Sequence, residues 1–297
     1  MFTGLSAFPI TPFKNEHIDY MAFDSLMENL VRAQVNSICA MGSTGLYPYL
    51  SRDQLVSVTD AAVSRAEGIP IMVGIGALRT YDVLKNAEAV QKAGASAVLL
   101  APVSYQPLNE EEVYGLYEAV SRELSVPMCV YENPRVTQFT FSDALYEKVG
   151  QLPNIGAIKI PGKPFGSDEG ATRLATLRAI VPAHVAIGVS GDSFGGAGMA
   201  QGCDLWLSVL GGVFPKTVQR IIALAQSDNT DAANALSESL NDMWELFARN
   251  GGGLRVVAAA AAVLGYGERS NLPAPFLPIS DADFAELEDI IARLALA

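Results

Sequence analysis

Histidine is almost absent from this chain, and the scarcity removes several kinds of chemistry at once. Only His17 and His184 occur, far apart and outside any His-Glu-x-x-His pattern, so a histidine-built zinc or other metal site is not expected. Neither lies by a Gly-x-Ser-x-Gly elbow, which a Ser-His-Asp hydrolase would need. Cysteine is equally scarce: Cys39, Cys129 and Cys203 sit in or beside apolar runs without Cys-x-x-Cys spacing, which reads as buried reduced thiols and no disulfide framework. Basic residues are outnumbered, 20 Lys and Arg against 32 Asp and Glu, so the net charge of −12 and pI near 4.6 oppose nonspecific binding to nucleic acid. Long apolar runs are missing too. The longest, Val256 to Leu264, falls short of the roughly 20 residues a membrane helix needs, and no charged leader followed by an apolar segment opens the chain. The expectation is a soluble cytoplasmic protein with neither nucleic acid nor membrane as partner.

The 297 residues, half of them hydrophobic, do supply alternating strand-like and helix-like segments. Strands are predicted near Gly4–Phe8, Ser37–Met41, Pro70–Ile75, Ala97–Ala101, Pro127–Tyr131, Gly156–Ile160, Val185–Val189 and Leu205–Val209. Helices are predicted near 19–34, 51–67, 80–93, 109–123, 142–150, 168–180 and 193–201. Eight strands alternating with helices suit an α/β protein of the (β/α)8 barrel type better than an open doubly wound sheet. Further helices are expected over 213–227, 230–249, 251–265 and 281–296, covering one side of the barrel or joining subunit contacts. Residues 1–215 would be the barrel core and 216–297 a helical extension of the same domain. The glycine-rich stretch Gly191–Gly198 does not match Gly-x-Gly-x-x-Gly in register, so a nucleotide is not supported and no cofactor is expected.

Lys159 ends the apolar run Ile155-Gly156-Ala157-Ile158-Lys159-Ile160, where a charged amine is out of place. On a strand it shares a face with Ala157 and Ile155. An amine on the enclosed side loses hydration, which favours its neutral, nucleophilic form and opens carbonyl chemistry through a Schiff base. The other reading is a structural lysine, paired with a carboxylate or emerging at the strand end. Two further segments stop where the chain would leave a sheet. Pro127–Pro134 places Tyr131 on the face of Cys129 and ends at a proline that cannot continue a central strand. Ile38–Gly45 ends in a glycine-bracketed Ser43-Thr44 pair whose hydroxyls and amides could grip a carboxylate. Alone, the tyrosine could equally be a packing residue and the Gly-Ser-Thr-Gly turn only a turn.

Taken together, Gly42-Ser43-Thr44-Gly45, Tyr131-Glu132-Asn133-Pro134 and Ala157-Ile158-Lys159 resemble, in order and spacing, the motifs of the dihydrodipicolinate synthase/N-acetylneuraminate lyase family. Weaker matches at Ala101-Pro102, Ser190-Gly191-Asp192 and Leu207-Ser208-Val209 extend the similarity to about residue 215. The resemblance implies a barrel enzyme that forms a Schiff base with pyruvate or a related 2-keto acid, and a homo-oligomer, dimer or tetramer. Lys159 would form the imine, Tyr131 would carry protons with Thr44 hydrogen-bonded to it as a relay, and Ser43 with the Ser43 and Thr44 amides would hold the keto acid's carboxylate. Gly191 and Leu207 align with positions near the bound acid.

Departures from the motif bear on the substrate. In the synthase branch a Tyr-Tyr pair follows the strand-four proline, whereas Pro102-Val103-Ser104-Tyr105 puts Ser104 at the second tyrosine and displaces Tyr105 by one. That branch also binds its aldehyde's carboxylate with an arginine where Val136 stands, Arg135 being one position early. Leu46 replaces the usual glutamate. A one-residue loop adjustment would let Tyr105 and Arg135 substitute. The simpler reading is a Schiff-base aldolase or lyase for pyruvate or a 2-keto-3-deoxy acid. The alternatives are an authentic dihydrodipicolinate synthase condensing pyruvate with aspartate semialdehyde, a dehydratase using the same imine, and a noncatalytic keto-acid-binding protein.

Overall fold

The computed structural model describes residues 1–227 and 229–296. Eight parallel strands close a barrel: β1 Gly4–Ala7, β2 Ser37–Met41, β3 Ile71–Gly74, β4 Ala97–Leu100, β5 Met128–Tyr131, β6 Ile155–Pro161, β7 Ala186–Ser190 and β8 Leu205–Ser208. Each pairs with its sequence neighbours, and β1 pairs with both β8 and β2 to complete the ring. The strands read as nearly continuous apolar runs because both faces are covered, one by the barrel lumen and one by helices.

The helices between them are α1 Tyr20–Arg32, α2 Arg52–Arg65, α3 Thr80–Lys92, α4 Glu110–Arg122, α5 Asp143–Gly150, α6 Glu169–Ile180, α7 Asp192–Ala200 and α8 Pro215–Gln226. Their starts are encoded locally. Ser51 with Gln54 and Asn109 with Glu112 form reciprocal capping boxes for α2 and α4, and Asp19 accepts from the Met21 and Ala22 amides at the head of α1. Four C-terminal helices follow: α9 Thr230–Glu238, α10 Asn241–Arg249, α11 Gly253–Val263 and α12 Asp281–Leu294.

Three details depart from the sequence reading. The helix expected over 230–249 is broken between α9 and α10. There the Leu240 amide closes a tight turn on the Ser237 carbonyl, the Trp244 indole donates to that same carbonyl, and the Ser239 hydroxyl bonds back to Leu236. A hairpin of Phe13–Lys14 with His17–Ile18 follows β1, turning through Asn15 and Glu16 at positive φ; strands of two residues carry no readable period. Finally, Ile155 joins the outer core although Ala157 lies in the lumen. A register shift between Met128 and Cys129 sets one residue of β5 against two of β6 and interrupts the alternation.

Candidate active site

The lumen holds Phe8, Cys39, Met72, Ala97, Leu99, Ala101, Cys129, Tyr131, Ala157, Leu205 and Leu207, a packed apolar column. Lys159 rises from it at the carboxyl end of β6, the face on which barrels of this type carry their chemistry. It is only 3% exposed. Its Nζ lies 3.9 Å from the centroid of the Phe8 ring and 4.1 Å from that of Tyr131. Among the described residues no carboxylate is within ion-pair distance of it, so the structural alternative of a lysine paired with an acid does not hold. Aromatic faces are weak partners for an ammonium compared with a carboxylate. In β7, Gly188 stands in register with Lys159, and a Cβ there would fall 2.3 Å from Leu207 Cδ1. The glycine thus lets Leu207 pack into the lumen beside the lysine.

The buried thiols border the same column. Burial pushes the Cys129 thiol up to about 12, and it raises Cys39 further; in each case the Lys159 charge only partly opposes the shift. Both are therefore held as neutral thiols, inert packing groups beneath the amine.

Tyr131 is the last residue of β5, directly opposite Lys159 in the β5–β6 ladder. Its hydroxyl accepts a hydrogen bond from Asn133 Nδ2 at 2.8 Å. Asn133 immediately precedes the helical turn Pro134–Thr137, and among the described residues no hydrogen bond links the phenol to Thr44. Thr44, 5% exposed, and half-buried Ser43 do line the cavity, and among the described residues neither hydroxyl has an internal partner. Their loop is pinned from outside by Thr11 Oγ1, which donates to the Gly45 carbonyl at 2.7 Å.

Two lobes meet at Lys159, Tyr131, Asn133 and Arg135. The first, about 400 Å³, is lined by Ser43, Thr44, Tyr47, Ala101, Val103, Arg255 and Phe276 among others. The second, about 520 Å³, runs over Gly191, Asp192, Phe194 and Leu207 toward Trp244 and Phe247. The expected Ser43, Thr44, Tyr131, Arg135, Lys159, Gly191 and Leu207 are thus brought together. Ser104 and Tyr105 are not: Ala101 and Val103 face the cavity, while the chain after Val103 turns outward and leaves Tyr105 88% exposed. Four lining residues carried no signal in the sequence. Phe8 directly follows β1, Tyr47 comes from the turn after β2, Arg255 from α11, and Phe276 from the segment between α11 and α12. Tyr47 is itself buried, and burial raises its phenol well above the ordinary value, with Tyr131 and Cys39 adding to the shift.

Asp192, at the first position of α7, organises the second lobe without facing it as a free charge. Its carboxylate accepts from Ser208 Oγ at 2.6 Å, Trp206 Nε1 at 3.0 Å, and the Leu210 and Val209 amides at 3.1 and 3.2 Å. These bonds tie α7 to β8 and the turn that follows. Burial raises its carboxyl, and the donors pull the other way. No group of three His, Cys, Asp or Glu side chains is arranged to hold a metal among the described residues, and none of the described helices is long and apolar enough to cross a membrane.

Comparison with known proteins returns one consistent relationship. A family model, that of the Dihydrodipicolinate synthetase family, matches residues 1–294. The chain is 26% identical to the 4-hydroxy-tetrahydrodipicolinate synthase of Rickettsia typhi, over 100% of this chain and 98% of that protein. It is 39% identical to the protein in a crystal structure of dihydrodipicolinate synthase from Agrobacterium tumefaciens, covering 99% of this chain and 98% of that one with a TM-score of 0.93. A structure of the chloride-inhibited dihydrodipicolinate synthase from Acinetobacter baumannii, complexed with pyruvate, shares the fold at 23% identity and a TM-score of 0.89, covering 100% of both chains.

Proposed function

Because the chain belongs to the Dihydrodipicolinate synthetase family, enzymes of the class I aldolase type, we propose that it makes or breaks a carbon–carbon bond through an imine on Lys159, with pyruvate or a 2-keto-3-deoxy acid as substrate. The observation that carries this is Lys159 itself: a buried amine without a carboxylate partner, set between two aromatic rings where the two cavity lobes meet.

In the cleavage direction the Lys159 amine adds to the C2 ketone, water leaves, and a protonated imine results. Tyr131 gives its proton to the departing carbinolamine hydroxyl, and the resulting phenolate takes the proton of the C4 hydroxyl as the C3–C4 bond breaks and its electron pair passes into the imine, leaving pyruvate as an enamine while an aldehyde departs. Protonation at C3 and hydrolysis return free Lys159. Asn133 holds the phenol in place. Ser43 and Thr44 offer hydroxyls and backbone amides to the C1 carboxylate, and Gly191 and Leu207 border the bound acid. Condensation runs the same steps in reverse.

A second reading, 4-hydroxy-tetrahydrodipicolinate synthase, is favoured by the name of the full-length Rickettsia relative and by Arg135, which borders both lobes although Val136 holds the aligned position. The proposal includes assembly as a homo-oligomer, a cytoplasmic location, and residues 1–215 as barrel core with 216–297 as an extension of one domain. Lining residues from both parts, Lys159 and Arg255, support the last point.

Reductive trapping is the test. Pyruvate with borohydride is expected to convert Lys159 into a stable secondary amine, located by peptide mass mapping. An unmodified Lys159 at saturating pyruvate, or addition only at the exposed Lys163 of the second lobe, would overturn the assignment.

A further inference from the structure

Resting on the Schiff-base reading, we infer that the second lobe is a hydrocarbon pocket: it receives an apolar substituent on C4 of the 2-keto-3-deoxy acid, held by Phe194, Trp244 and Phe247. The direction of the substrate follows from its acid end. Ser43 and Thr44, the groups offered to the C1 carboxylate, line the first lobe only, and C2 is fixed at Lys159 where the lobes meet. The chain beyond C3 is then directed into the second lobe, past Leu207.

Carbon forms the walls of that lobe. Phe194 stands in the first turn of α7, and Trp244 and Phe247 stand on α10. All three rings are half-buried, so each keeps apolar surface that a ligand can cover. The Trp244 and Phe247 rings meet edge to face, with centroids 5.6 Å apart and planes at 73°. The indole N–H of Trp244 donates at 3.3 Å to the Ser237 carbonyl of α9, which spends the ring's one polar group inside the protein. Two of the rings are seated on glycine. A Cβ at Gly162 would fall 2.7 Å from Phe194 Cβ, and one at Gly253 would fall 2.9 Å from Phe247 Cε2, so a side chain at either position would push a ring from its place.

A polyhydroxylated tail would need hydrogen-bond partners here, because hydroxyls stripped of water without them cost affinity. Beyond the residues shared with the first lobe, few are left to give. Ser190 Oγ donates to the Ile160 carbonyl at 2.9 Å, and the Asp192 oxygens are committed to four donors. Lys163 and Ser193 are exposed to solvent. An apolar group instead gains by leaving water, in proportion to the area it covers, and the lobe's volume of about 520 Å³ has room for a ring or an alkyl chain.

The test is a set of 4-hydroxy-2-keto acids whose C4 bears a phenyl ring, an unbranched alkyl chain or a polyol chain of matched length, assayed by pyruvate release. Wild-type kcat/KM is expected to favour the apolar pair over the polyol by at least about 10-fold, and the better of the two tells a ring site from an alkyl site. Trp244→Ala is expected to lower the apolar-to-polyol ratio by about 10-fold, with Trp244→Phe keeping most of it. The ratio is insensitive to a general loss of active enzyme, which lowers both rates together. Pyruvate trapping at Lys159 in wild type and variants reports an intact imine site. With trapping intact, a wild-type enzyme that favours the polyol, is indifferent, or releases no pyruvate from either apolar acid would overturn the pocket. A Trp244→Ala variant that keeps the wild-type ratio would do the same, and the wild-type comparison stands even where the variant fails to fold. Absence of trapping in the wild type is a separate result, and it overturns the Schiff-base reading instead.

Discussion

Lys159 and Tyr131 face each other in register on adjacent strands, and the amine lies 4.1 Å from the centroid of the phenol ring. The tyrosine thus has two separable contributions. Its ring forms one wall against the lysine, and its hydroxyl, held by Asn133, is the proposed proton carrier. Tyr131→Phe keeps the wall and removes the carrier. Turnover is expected to fall about 10²–10⁴-fold, the usual range for a positioned acid or base, while pyruvate is still trapped on Lys159. Unchanged turnover in a folded variant would exclude the hydroxyl from proton transfer.

Glu132, next in sequence, points away from this chemistry. It is buried, accepts the Phe141 amide at 3.0 Å and the Tyr146 hydroxyl, and burial raises its carboxyl above the usual range despite these donors and nearby Arg173. A carboxyl raised in the folded state binds more protons folded than unfolded. Its contribution to stability is therefore full below the unfolded value, roughly pH 4, and is lost as pH rises through the folded value. Glu132→Gln cannot ionise and retains an acceptor for Phe141. Relative to wild type, the variant is expected to gain stability from about pH 4 to pH 8, followed by urea denaturation across that range. A stability difference that is flat, or that moves toward wild type with rising pH, would contradict the assignment.

Asp192 concentrates four donors on one carboxylate, two of them backbone amides of the turn after β8. Asp192→Ala leaves all four donors without that acceptor, three of them in buried contacts, and a loss of about 3–5 kcal/mol in unfolding free energy is expected. Asp192→Asn keeps one oxygen and should cost less, about 1–3 kcal/mol. Equal stability of Asp192→Ala and wild type in denaturant titration would show that the turn is held by other contacts.

Large apolar side chains stand in solvent on the single chain, Met21 at 84% and Tyr105 at 88% exposed among them. Homo-oligomerisation, proposed above, would give such side chains a partner surface. Light scattering at micromolar concentration is expected to give at least twice the chain mass of 31.5 kDa. A single species at the chain mass would rule assembly out.

The barrel and the centre of its site were legible because their signals are local. A strand reports itself through apolar runs bounded by breakers, and a helix through its cap, as Ser51 and Asn109 show. Lys159 at the end of such a run, Tyr131 before a proline and Ser43-Thr44 between glycines are likewise neighbours of their own signals. Strand alternation alone put Tyr131 on the side of Cys129 and Lys159 on the side of Ala157, as found. It failed at Ile155, where a shift between two strands overrode a count along one. The contact of Asn133 with the phenol, the outward path of Tyr105, the break at Ser239 and the arrival of Arg255 and Phe276 at the cavity depend on which groups meet across the fold. Periodicity and capping are set by residues within a turn or two of one another, so the sequence itself determined the elements and the reactive residues they carry. The docking of α11 over the barrel mouth is the sum of many distant contacts, each too small to leave a mark in the local pattern, and only the tertiary structure decided which cations line the cavity.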